Sequence, residues 1–98
     1  MGADVFVTRS KGTTPQQAFN QAVEQAAYMH GHGGYTGTIA EKDSFVIIPV
    51  PPEYKNIEYE YADKLIEQND QRIHDKWGPA GCIKTGENEY LFFGWASC

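Results

Sequence analysis

The sequence predicts an α+β fold: a single-domain, two-layer sandwich of the ferredoxin-like kind with one added C-terminal strand. Three observations predict it. Short β-branched and aromatic runs lie at 3–8, 35–40, 45–50, 82–85 and 90–96. Two longer stretches, one opening at Thr14-Pro15 and one near Asn56, carry apolar residues at helical spacing. In chain order these segments read β-α-β-β-α-β-β, two split βαβ units and one further strand. The 98 residues, 41% hydrophobic and 21% charged, suffice for one core, so residues 1–98 are read as one domain.

The first strand is Ala3-Asp4-Val5-Phe6-Val7-Thr8, broken by the polar and glycine-bearing segment Arg9 to Gly12. Thr14-Pro15-Gln16-Gln17 then opens a helix, because Thr14 can cap, Pro15 loses no needed N–H, and Gln17 can close a capping box. Ala18, Phe19, Ala22, Val23, Ala26 and Ala27 form its apolar stripe, and the glycines from Gly31 onward stop it near Met29 or His30. Residues 35–40 and 45–50 read as a hairpin across Glu41 to Ser44, ended by Pro49, Pro51 and Pro52. A second helix is expected from near Asn56 into the low seventies, with Ile57, Tyr61, Leu65, Asn69 and Ile73 on one face. Gly78-Pro79 ends it, and 82–85 and 90–96 form a last hairpin across Gly86 to Glu89.

Right-handed crossovers in this order would place both helices on one face of the sheet. The last strand is nevertheless apolar on both sides, with Tyr90 and Phe92 one way and Leu91, Phe93 and Trp95 the other. The second face therefore needs cover. A homo-oligomer partner or a target protein would supply it, as would the segments 51–56 and 75–81 folding over.

A net charge of -5, with basic residues scattered, argues against binding duplex nucleic acid, which takes clustered Lys and Arg. No window approaches a membrane span and no secretion signal stands at the start, so the expected compartment is the cytoplasm, with Cys82 and Cys98 as free thiols.

The segment His30 to Lys42 holds two of the three histidines and four of the ten glycines. It follows a helix C-terminus, where free carbonyls favour cations, so a phosphate cradle is disfavoured. His30, His32, His74 and Cys82 are weak metal-ligand candidates, with no recognised zinc spacing among them, and no cofactor is expected. The glycines exceed what one helix cap needs, which points to close backbone approach by something. The expected binding residues are therefore His30, His32, Gly33, Gly34, Tyr35 and Gly37, joined by the aromatic Trp77 and Trp95.

Three motifs carry a resemblance: Gly31-His32-Gly33-Gly34-Tyr35-Thr36-Gly37-Thr38-Ile39-Ala40-Glu41-Lys42, then Asp75-Lys76-Trp77-Gly78-Pro79-Ala80-Gly81-Cys82, then Leu91-Phe92-Phe93-Gly94-Trp95-Ala96-Ser97. In these the chain resembles a family of small tailed-bacteriophage proteins. The resemblance implies a phage accessory product in the infected host cell, and supplies no catalytic residues. The expectation is a non-enzymatic binder of a host protein or small signalling molecule, serving host takeover or counter-defence. The alternatives are a metal-assisted or Cys/His enzyme centred on the His30 and His32 segment, and a virion assembly component.

Overall fold

The computed structural model describes residues 3–30 and 38–97. Its four-stranded mixed sheet is built around β4 (Glu89–Ser97) and β3 (Ala80–Gly86), with β1 (Ala3–Lys11) and β2 (Phe45–Ile47) at the edges, in the order β1-β4-β3-β2. β4 runs antiparallel to both neighbours, and β2 pairs with β3 in parallel. The two helices are α1 (Pro15–His30) and α2 (Glu58–Glu67). The class is α+β, as the residue pattern predicts.

The helix starts follow their local signals. The Gln17 N–H donates to Thr14 Oγ1 at 3.1 Å, the expected cap. Gln17 Oε1 accepts from the Thr13 N–H and hydroxyl, both at 2.7 Å, so the reciprocal bond lands one residue earlier than a standard capping box. α2 is shorter than its spacing suggested. Asn69 turns left-handed (φ 52°), and the Asn69 and Asp70 N–H groups close on Ile66 O and Leu65 O. Ile73 is still buried, brought in by a turn rather than by helix, whereas Ile57 and Asn69 are exposed instead of lining the core face.

The expected hairpin over 35–50 does not form in the described part. Residues 35–37 lie outside the described residues, and Thr38 caps a 3-10 turn, Ile39–Glu41, by accepting from the Ala40 N–H. The driving group is Ile39, whose side chain is fully enclosed between α1 and the sheet. Turning inward to bury it removes those residues from any ladder. The order among the described residues is therefore β-α-β-α-β-β.

Losing that hairpin also changes the layering. Without it, β1, β2 and β3 all run the same way. The α1 connection crosses the sheet from the β1 edge to the β2 edge, and the α2 connection steps back from β2 to β3. Two right-handed crossovers travelling in opposite directions must lie on opposite faces. One apolar cluster accordingly joins Ala18, Phe19 and Ala22 of α1 to Phe6, Cys82, Phe92 and Ala96. The other joins Ala62, Leu65 and Ile66 of α2 to Ile83, Leu91 and Phe93. The expectation of two layers with both helices on one face is thus corrected to a helix on each face. The two-sided apolarity of β4 is satisfied within the chain.

Two glycines are set by this packing. A Cβ on Gly81 would lie 2.6 Å from Cζ of Phe93, which is fully buried and has no room to retreat. Gly81→Ala is expected to cost about 1–3 kcal/mol of stability through overpacking, measured by chemical denaturation. Gly94 sits at φ +147°, a conformation costly for any side chain, with Ile73 3.7 Å from where its Cβ would be.

Candidate functional site

The described end of the first motif, Thr38 to Lys42, meets the second motif at the end of the sheet where β1, β2 and β3 begin and β4 finishes. The residue that joins them is Lys42. Its side chain is only 3% exposed, and its ammonium donates to the carbonyl oxygens of Asp75 (3.2 Å), Lys76 (3.2 Å) and Gly78 (2.9 Å). An ammonium has three protons to give and here has three acceptors. Burial lowers the Lys42 pKa from its ordinary value, and the nearby Asp75 charge opposes that shift.

The clamped segment is a tight turn in its own right. The Gly78 N–H donates to Asp75 O at 2.9 Å, and the Trp77 N–H to Asp75 Oδ1 at 2.8 Å. The Ala80 N–H then donates to Ser44 O at 3.0 Å, starting the parallel pairing of β3 with β2. The result holds the Trp77 ring outward, 59% exposed, with the Lys76 ammonium 5.5 Å from its centre. A large aromatic on a turn fixed by four side-chain-to-backbone hydrogen bonds, three from Lys42 and one to Asp75, is already ordered before any contact.

The other sequence-derived candidates separate. His32, Gly33, Gly34, Tyr35 and Gly37 lie outside the described residues. His30 is the last residue of α1, placing its backbone at the same end of the sheet as Trp77. Trp95 lies in β4 on the α2 side, packed against that cluster, with its indole N–H buried and unpaired. It serves the core more than a surface. His74 is exposed on the turn, its Nδ1 3.0 Å from Gln71 O.

Cys82 is 1% exposed on the α1 face, and burial pushes its thiol up to about 11 from 9.0. At neutral pH it is a protonated core side chain, the opposite of an activated nucleophile or thiolate ligand. Among the described residues no group of three or more His, Cys, Asp or Glu is placed to hold a metal ion. The raised thiol value carries a stability consequence. The unfolded chain ionises Cys82 first, near 9.0, so stability present below that pH is lost as pH rises toward about 11. The stability of the native chain relative to Cys82→Ala, measured by urea denaturation from pH 8 to pH 11, is expected to shrink by roughly 2–3 kcal/mol.

Lys42 had no signal that singles it out as a structural clamp. It closes the longest motif as an apparently ordinary turn lysine, and only the fold shows that its ammonium points inward. No helix among the described residues is long and apolar enough to cross a membrane. Compared with known protein families, curated proteins and solved structures, the chain finds no match.

Proposed function

We propose that the chain acts by binding, as a phage accessory protein directed at a host protein or small signalling molecule in the cytoplasm of the infected cell. The observation that carries this reading is Trp77, an exposed indole on a turn that Lys42 and Asp75 hold in place. Exposed tryptophans on ordered backbone are the side chains that dominate interface energies, because they bury much area and lose little freedom on contact. The proposed binding set keeps His30, His32, Gly33, Gly34, Tyr35 and Gly37, which the sequence singles out, together with Trp77. A host protein fits the exposed turn best, and a small molecule is the second occupant to test.

The reading is tested by capture from lysate of infected cells, comparing the native chain with Trp77→Ala, and by native mass spectrometry of the eluate for small ligands. A specific partner or ligand should be retained by the native chain and bound at least about 30-fold more weakly by Trp77→Ala, the loss expected at an interface hot spot. The thermal unfolding of Trp77→Ala should differ little, as for most exposed substitutions. Equal retention by both proteins would remove Trp77 from the site and the proposal with it.

A further inference from the structure

The turn over residues 75–78 brings three carbonyl oxygens toward one point. Those of Asp75, Lys76 and Gly78 lie 3.2, 3.2 and 2.9 Å from Nζ of Lys42. Carbonyls converging in this way set the negative ends of their dipoles side by side, which is costly unless a cation stands at the focus. The turn has its own closing bonds, from the Gly78 N–H to Asp75 O and from the Trp77 N–H to Asp75 Oδ1. Gly78 lets it close tightly, since a Cβ there would lie 3.2 Å from Cβ of Asp75.

The distances select the cation. Hydrogen bonds from nitrogen to oxygen run at about 2.7–3.2 Å, the range found here. Calcium draws its oxygens to about 2.3–2.6 Å and magnesium to about 2.0–2.1 Å, closer than this turn holds them. Three acceptors around one nitrogen match the three protons of a primary ammonium. The Asp75 charge nearby also favours a cation at this point.

We propose that the turn is a carbonyl cradle for a primary ammonium, that Lys42 is the cation built into the chain to fill it, and that its seating holds the Trp77 indole in its presented position. The ammonium and the first of its acceptors are 33 residues apart in the chain, so the contact ties the first motif to the second. A tethered ammonium stands at high effective concentration and needs no supply from solution. Lys42 is thus a positioning residue that works through the turn. The cradle is tested without any partner, so its failure and a failure of Trp77 as a binding residue are separate results.

Lys42→Ala removes three carbons and the nitrogen, the part that n-propylammonium replaces. The thermal midpoint of this variant is expected to fall by about 10–20 °C. It should regain about 5–10 °C in n-propylammonium chloride at about ten times a millimolar dissociation constant. Tetramethylammonium chloride at equal ionic strength, which carries the charge without an N–H, should return none of this, and neither should calcium chloride. The native protein, its cradle filled, should melt alike in both ammonium salts. Fluorine NMR of fluorotryptophan-labelled Lys42→Ala should show the Trp77 line displaced from its native position and returned by n-propylammonium. Lys42→Met covers the case of an alanine variant that does not fold, because its flexible thioether can draw back to admit ammonium itself. Its midpoint should stand about 2–5 °C higher in ammonium chloride than in tetramethylammonium chloride. The proposal is overturned if neither variant gains more from its matching ion than from tetramethylammonium, or if the native chain gains as much as the variants. A midpoint that recovers while the Trp77 line stays displaced overturns it as well.

Discussion

Phe92→Ala is expected to lower the unfolding free energy by about 3–5 kcal/mol, the largest single effect of any substitution considered for this chain. Phe92 is fully buried on the α1 face of β4. Its ring meets Phe19 of α1 edge-on, with centroids 5.5 Å apart, and Phe45 of β2 at 5.7 Å, while Phe19 and Phe45 lie 5.0 Å from each other. The three rings come from three elements, so truncating the central one leaves a cavity that no single neighbour can fill. Each ring pair also adds about 0.5–1.5 kcal/mol beyond area burial. A domain of this size has about 5–15 kcal/mol in total, so the variant should be partly unfolded at modest urea concentrations. Phe92→Leu keeps most of the volume and should cost far less. A midpoint for Phe92→Ala close to that of the native chain would show that the ring cluster does not hold the α1 layer.

Lys42→Met should cost about 2–4 kcal/mol, because it leaves the carbonyls of Asp75, Lys76 and Gly78 without their donor in a place that excludes the side chain from water. Lys42→Arg should not restore stability, since a planar guanidinium cannot point protons at three carbonyls arranged around one nitrogen. The same substitution should loosen the turn that presents Trp77, so partner binding falls together with stability. Trp77→Ala, by contrast, should affect binding alone. The pH dependence has a definite sign. The folded Lys42 pKa lies below 10.5, so the unfolded chain holds that proton to higher pH than the folded one. The native chain's advantage over Lys42→Met should therefore increase as pH rises through the interval ending near 10.5. Urea denaturation of both proteins at several alkaline pH values measures it. The opposite slope would mean that Lys42 is not the desolvated group the geometry shows.

The apolar residues on the α2 side of β4 are covered within the chain, Leu65 and Ile66 packing with Leu91 and Phe93 in one cluster.

Much of the architecture was legible along the chain because its causes are local. Thr14-Pro15 and Gln17 mark the start of α1 whatever surrounds them, and the alternation of Tyr90 to Trp95 assigns each side chain of β4 to a face. Local signals also placed Ile73 in the core while misplacing it in a helix, since spacing cannot distinguish a helical turn from a separate turn that reaches the same cluster. The glycines of the second and third motifs carried no reading along the chain, and the fold makes two of them matters of packing, Gly81 against Phe93 and Gly94 beside Ile73.

By itself the sequence determined the α+β class, the position of α1, the last hairpin and most of the buried residues, because periodicity and capping act within a few residues. Only the tertiary structure decided that β2 pairs in parallel with β3, that α1 and α2 lie on opposite faces, and that Lys42 closes over the turn carrying Trp77. Each of these depends on which distant segments share space. Ile39 is enclosed in a 3-10 turn where alternation along the chain predicts a strand, and β2 pairs in parallel with β3. No pattern along the chain states which of its distant apolar residues share a cluster, and it is those clusters that set a helix on each face.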